Sequence, residues 1–354
     1  MAVHFTMDQM KRCQENHNLW WEGKLQRPLT RVTLHNAHPL ERQTKAPFLS
    51  QSNCADFSYT PEEIIDAMDA HLSKYEFLGD AFPSVNFDAF GPGVLAAMCG
   101  AILDNSSGRV WFFPDKAREI RDIHIKYDPE NMWSRRIKDI YRAGLERWRG
   151  LVIMGFPDLG GVLDVAATFR GTENLLMDMI DEPEEVERLV KEIEKAWREA
   201  YEDFRSVLAP QGAYTHWSGL MSTETSYIVQ SDASYMIGKS MFDRFVLDTI
   251  RNDTQCLKHT IYHLDGIGQL NHLDSILSLE KLNAVQWVYG EGKPGPVNWL
   301  HVYRKIMDAG KQIMIVGGPE EYLETLKILH GTPYSTHDLS VNNKDLAYRL
   351  IEAR

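Results

Sequence analysis

"TIYHLDGIGQLNHLDSILSLEKLNAVQWV", residues 260–288, compresses a strand, a helix and a second strand into one short run. An apolar stretch breaks at His263, resumes for Leu264 alone and closes on Asp265 and Gly266. Helix-compatible sequence follows over about 270–279, and then the apolar "NAVQWV" (283–288). The same alternation extends outward in both directions. "GAYTHW" (212–217) and a helix over 238–256 precede the run. After it come a helix over 298–309, "KQIMIVG" (311–317), a helix over 319–329, "TPYSTHD" (332–338) and a last helix over 343–353. Short apolar strands alternating with amphipathic helices imply a parallel sheet covered by helices.

The amino-terminal half fits this scheme. "RVTLHN" (31–36) is a strand candidate, and Pro61 after Thr60 opens a helix over 61–78. A Gly-, Pro- and aromatic-rich stretch, 79–114, reads as a strand and a functional loop, and "LVIMGFPDLGG" (151–161) as a buried strand entering a loop. After "DEP" (181–183), Val186, Leu189, Val190, Ile193, Trp197, Tyr201 and Phe204 form one helical stripe. About eight strand candidates favour a closed (β/α)8 TIM barrel over an open sheet. Residues 1–354 are expected to form one barrel domain, with 1–30 as an N-terminal helical extension. No G-x-G-x-x-G follows a first strand, which weighs against dinucleotide binding.

Composition narrows the function classes. Of 354 residues, 44% are hydrophobic and 25% charged, as in ordinary globular domains. The formal net charge of -12 repels phosphate backbones and anionic membrane surfaces, so no nucleic acid and no membrane is expected as a partner. Cys13, Cys54, Cys99 and Cys256 show no C-x-x-C spacing, and neither a signal segment nor an apolar run of about 18 residues is evident. A cytoplasmic protein is the expectation.

In such a barrel, polar residues at strand C-termini converge on the catalytic rim. The candidates are His35 and Asn36; Asn86 and Asp88; Asp158; His216 and Trp217; His263 and Asp265; Gln286 and Trp287; His337 and Asp338. Strand side chains alternate faces, so His263 and Asp265 share one side and Leu264 takes the other. A histidine and a carboxylate so placed can reach one divalent ion, with His337 as a third ligand. The alternative for each histidine is hydrogen bonding within the rim. Asp232 is either an N-cap or a rim carboxylate, and Asp164 either binds substrate with Asp158 or serves to cap a helix or pair with Arg170. Trp217, Trp287 and Trp299 either line a pocket for a flat ligand or pack the core. His272 and Asp274 lie in the following helix and either face solvent or cap its start.

The order of these strand ends resembles the uroporphyrinogen decarboxylase superfamily, which includes zinc-dependent corrinoid methyltransferases, over nearly the whole chain. "MGFPDLGGVLDVAATFRG" (154–171), "QSDASYMIGKSMFDRFVLDTI" (230–250), "IYHLDG" (261–266) and "STHDLS" (335–340) carry the resemblance. The decarboxylases hold porphyrinogen carboxylates with arginines at the place of "LHNAHP" (34–39), where this chain has His35 and His38. Asp88 or Asn86 matches their catalytic aspartate, Phe169 stands near a family tyrosine, and His337 matches a family histidine. In the methyltransferases, zinc is bound by a histidine and two cysteines. Here His263 matches the first ligand, Asp265 the first cysteine and His337 or its neighbour the second.

The resemblance implies metal-assisted methyl transfer on a small molecule, with zinc or another divalent metal at His263, Asp265 and His337. Asp232 joins these three as a catalytic residue, and His35, Asn86, Asp88, Asp158, His216, Trp217 and Trp287 bind substrate. A corrinoid, carried on a partner protein, and a homodimer are the associated expectations. The alternatives are a decarboxylase acting on a tetrapyrrole or other small acid without metal, and a non-catalytic binding barrel.

Overall fold

The computed structural model describes residues 3–40, 42–329 and 335–353. Six strands form a parallel ladder in the spatial order Ser226–Gln230, His259–Asp265, Ala284–Val288, Gln312–Ile315, Ser335–Val341 and Leu29–Leu34. Glu76–Gly79 adds a seventh, antiparallel to Leu29–Leu34. A separate parallel pair, Ser84–Val85 and Ile153–Met154, continues the wall. Asp80 N–H donates to Thr30 O at 2.9 Å, and Phe156 N–H to Thr215 O at 2.9 Å.

The result is an α/β fold with a seven-stranded, mostly parallel sheet; the expected closed eight-strand ladder is not continuous among the described residues. The interruption has a local cause. Gly and Pro in "GDAFPSVNFDAFGPG" (79–93) and "GFPDLGG" (155–161) leave the two wall strands only two residues long each.

Three sequence expectations need correction. "GAYTHW" supplies only Tyr214–Thr215, which pairs antiparallel with Met221–Ser222. The parallel neighbour of His259–Asp265 is instead "SYIVQ" (226–230), whose aromatic and β-branched residues suit a buried strand. The helix expected over 61–78 stops at Leu72, and Glu76–Gly79 turns back as a strand. The helix expected over 238–256 is two, Lys239–Phe245 and Leu247–Cys256, broken at Val246. By contrast Pro183–Leu208 buries the whole apolar stripe read from the sequence.

Each ladder strand has two apolar faces, so parity decides where a residue points. Tyr227, Val229, Tyr262, Leu264, Val285, Trp287, Ile313 and Ile315 join the large core against the helices. The other face carries Leu29, Ile228, Ile261 and Ala284, packed with Trp20, Trp21 and Leu25 of the amino-terminal segment. That segment is pinned by hydrogen bonds from Trp20 Nε1 to Ser335 O at 3.1 Å and from Trp21 Nε1 to Met221 O at 2.9 Å. Its helix, Met7–Trp21, starts with a reciprocal capping box between Thr6 and Gln9. No helix among the described residues is long and apolar enough to cross a membrane.

Candidate metal and substrate site

The strand His259–Asp265 places His263 and Asp265 on the face away from the helices, two residues above Ile261. Here the period-2 expectation holds: Leu264, between them, is fully buried in the helix-facing core. His263 Nε2 lies 3.7 Å from Asp265 Oδ2. Asp232 completes the group, and ligand atoms of Asp232, His263 and Asp265 all lie within 4.8 Å of one another.

Asp232 reaches this position because another carboxylate holds its backbone. It opens the short 3-10 helix Asp232–Met236, yet Asp164, from helix Val162–Arg170, accepts the N–H groups of Asp232 at 3.0 Å and Ala233 at 2.7 Å. Asp164 therefore does the capping and leaves the Asp232 carboxylate free to face His263. Arg170 bonds Asp178 at 2.5 Å and Glu119 at 2.9 Å instead of Asp164.

Register supplies the support for His263, which stands opposite Gln286 on one neighbouring strand and Gln230 on the other. His263 Nδ1 and Gln286 Oε1 are 2.5 Å apart, and Gln286 Nε2 donates to Met314 Sδ at 3.3 Å. A proton on Nδ1 satisfies Gln286 and leaves the Nε2 lone pair directed at the carboxylates. The Trp217 ring stands edge-on to the imidazole, centroids 4.8 Å apart. Burial works against a charged His263, but the nearby Asp265 carboxylate, the charge of Asp232 and the bond to Gln286 outweigh it and raise its pKa.

Asp158 lies deeper. It accepts Gly160 N–H at 2.9 Å and Gln230 Nε2 at 3.4 Å. Burial pushes its pKa up to about 7 against the Gly160 bond, and the charges of Asp88 and Asp232 add to the rise. Asp88 is pushed up to about 6 by burial despite the bond from Asn86 Nδ2 at 2.7 Å. Several acids held near one another in this way favour a cation or retained protons.

Stability should follow the Asp158 proton. An unfolded Asp158 releases its proton near its ordinary value, whereas the folded one keeps it to about pH 7. Between those values the native state binds more protons, so stability falls as pH rises, by about 4 kcal/mol in total from this group. Asp158→Asn should remove that slope. Denaturant unfolding of both proteins between pH 4.5 and 7.5 checks it, and parallel curves would contradict the assignment.

Two residues expected at the site, the metal ligand His337 and the substrate-binding Trp287, point elsewhere. His337 shares its face with Leu339 and Val341, which pack with Tyr322, Leu326 and Leu350 against the sheet's outer side. Its ring meets Tyr322 at 4.5 Å, and Nε2 lies 3.3 Å from Ser335 Oγ. It belongs to the helix layer and is absent from the candidate metal-binding group, in which Asp232 stands third beside His263 and Asp265. Trp287 has the same parity as Val285 and packs edge-on to Trp299 in the core, so it lines no site on the inner face. His216 is buried, its Nδ1 2.9 Å from Ser218 Oγ and its Nε2 3.4 Å from Ser226 Oγ, and burial lowers its pKa to about 3. His35 packs on Tyr75 at 4.5 Å. Tyr75, Ser84, Asn86 and Asp88 line a cavity of about 440 Å³ beside His71.

The mostly parallel α/β fold thus brings one imidazole and two carboxylates, His263, Asp265 and Asp232, close enough together to hold a divalent ion. No protein-family model and no curated protein sequence matches the chain. Its structure is similar to that of a methyltransferase from Methanosarcina mazei, with a TM-score of 0.63 over 96% of this chain and 97% of that one. At 10% sequence identity the likeness is one of fold.

Proposed function

We propose that this chain is a divalent-metal methyltransferase related to uroporphyrinogen decarboxylase, its wall a (β/α)8 barrel with two weakly laddered strands. The carrying observation is the Asp232, His263 and Asp265 group. The shared fold with a methyltransferase supports the reading. Two carboxylates and an imidazole suit zinc or another borderline-to-hard divalent ion better than a thiophilic one. Such an ion, when bound, supplies a Lewis acid for an oxygen or nitrogen of a small substrate.

The chain's own residues do the rest. Gln286 fixes the His263 tautomer, and Trp217 walls the imidazole on one side. Asp158 holds a proton near neutral pH for the group left behind when a methyl departs. A corrinoid methyl carrier, a homodimer and a cytoplasmic setting complete the proposal.

The test is methyl loss from a panel of methylated amines, ethers and thiols to cob(I)alamin, followed as methylcobalamin absorbance. Product from wild type and none from His263→Ala is the expected result. No methyl transfer with any donor, together with carbon dioxide release from uroporphyrinogen, would move the protein to the decarboxylase alternative. Gln286→Ala is expected to weaken metal affinity roughly 10- to 100-fold without unfolding the chain; equilibrium metal titration checks it.

A further inference from the structure

Arg31 sits in the middle of Leu29–Leu34 on the inner face and is 2% exposed. Its guanidinium is poorly satisfied. Nη1 donates to Ser218 O at 2.9 Å and lies 3.6 Å from Oδ2 of Asp338, a half-exposed carboxylate. Nε and Nη2 are shut off from bulk water and have no acceptor among the described residues. A buried guanidinium with so few acceptors is costly, and an incoming anion offsets that cost.

The surroundings shape such a site. Arg31 lines a cavity of about 160 Å³ with Thr33, Tyr75, Phe82, Ser84 and Gly219. Gly219 has φ +70°, and a Cβ there would lie 2.3 Å from Arg31 Nη1, so glycine leaves the guanidinium its room. The cavity shares Tyr75 and Ser84 with the larger one lined by Asn86 and Asp88. One loop joins it to the metal group: Trp217 meets His263, and the next residue, Ser218, offers its carbonyl to Arg31.

We propose that Arg31 anchors the carboxylate of a small ligand whose apolar or aromatic body lies against Tyr75 and Phe82. Nη1 takes one carboxylate oxygen, and a turn of the guanidinium brings Nη2 to the other. That this ligand is the substrate rests on the methyl-transfer reading; the binding itself does not.

Benzoate is the probe, titrated calorimetrically into the metal-free full-length protein, with benzamide as its neutral counterpart. Saturable binding of benzoate at one site per chain is expected, with benzamide at least tenfold weaker. Arg31→Gln should weaken benzoate at least tenfold, with a circular-dichroism spectrum like that of wild type as the folding control. Because the benzamide comparison uses wild type alone, a poorly folded variant does not remove the test. Equal binding of acid and amide, no binding of either, or full benzoate affinity in folded Arg31→Gln would each overturn the proposal. So would benzoate binding that requires added zinc and His263, because the carboxylate would then sit at the metal group. Benzoate binding with no metal bound at Asp232, His263 and Asp265 would retain the Arg31 site while removing the methyl-transfer reading.

Discussion

Replacing His263 with alanine is expected to abolish stoichiometric binding of a divalent ion and any turnover that depends on it, while the chain stays folded. The imidazole is the sole nitrogen donor of its group, and Asp232 and Asp265 alone would be two carboxylates open to water. Loss of a supporting residue already costs roughly 10- to 100-fold in metal affinity, so loss of the ligand itself should cost more. The side chain lies on the face away from the large apolar core, so its truncation removes little packing. Elemental analysis after dialysis is the measurement. About one zinc per chain in wild type and in His337→Ala, but none in His263→Ala, is the expected pattern; equal zinc in all three would end the metal reading.

Asp80→Ala is expected to destabilise the fold by about 3–5 kcal/mol, the range for removing one partner of a buried ion pair. Asp80 is fully buried and bonds Arg27 through both oxygens, at 2.5 and 2.8 Å. It also accepts Thr30 N–H at 3.0 Å and Asn16 Nδ2 at 2.9 Å, while its backbone carbonyl lies 3.1 Å from His17 Nε2. One carboxylate thus ties the first helix, the first strand and the turn after Glu76–Gly79 together. Urea unfolding should show the loss as a lower midpoint at unchanged slope. A shift below 1 kcal/mol would mean that the amino-terminal segment contributes little to the cooperative unit.

The fold was legible where strands and helices were long. The alternation from 259 onward follows the periodicity closely, whereas the short wall strands at 84–85 and 153–154 carry too few residues to show a period. "SYIVQ" carries no strand signature of its own, because three consecutive apolar residues, Tyr227, Ile228 and Val229, do not declare their class. At the candidate site, parity accounts for His263 and Asp265 sharing one face with Leu264 on the other. The same rule misplaces nothing at His337 once Leu339 and Val341 are read with it: three alternate residues share one face, and two of them are plainly core.

Arg31 had a comparable signal, a charge at an inner position in the middle of "LTRVTL", but its missing acceptors are visible only in three dimensions. Asp164 is another such case. No local pattern says that a carboxylate on one helix caps a turn 68 residues later.

The edge-on Trp217 ring gives the site an optical reporter of its own. An indole at 4.8 Å from the His263 imidazole should change in emission when the ring charges or takes an ion. Occupancy at this position could thus be followed in the unlabelled chain, in solution and in real time, once the other eight of its nine tryptophans are accounted for by difference.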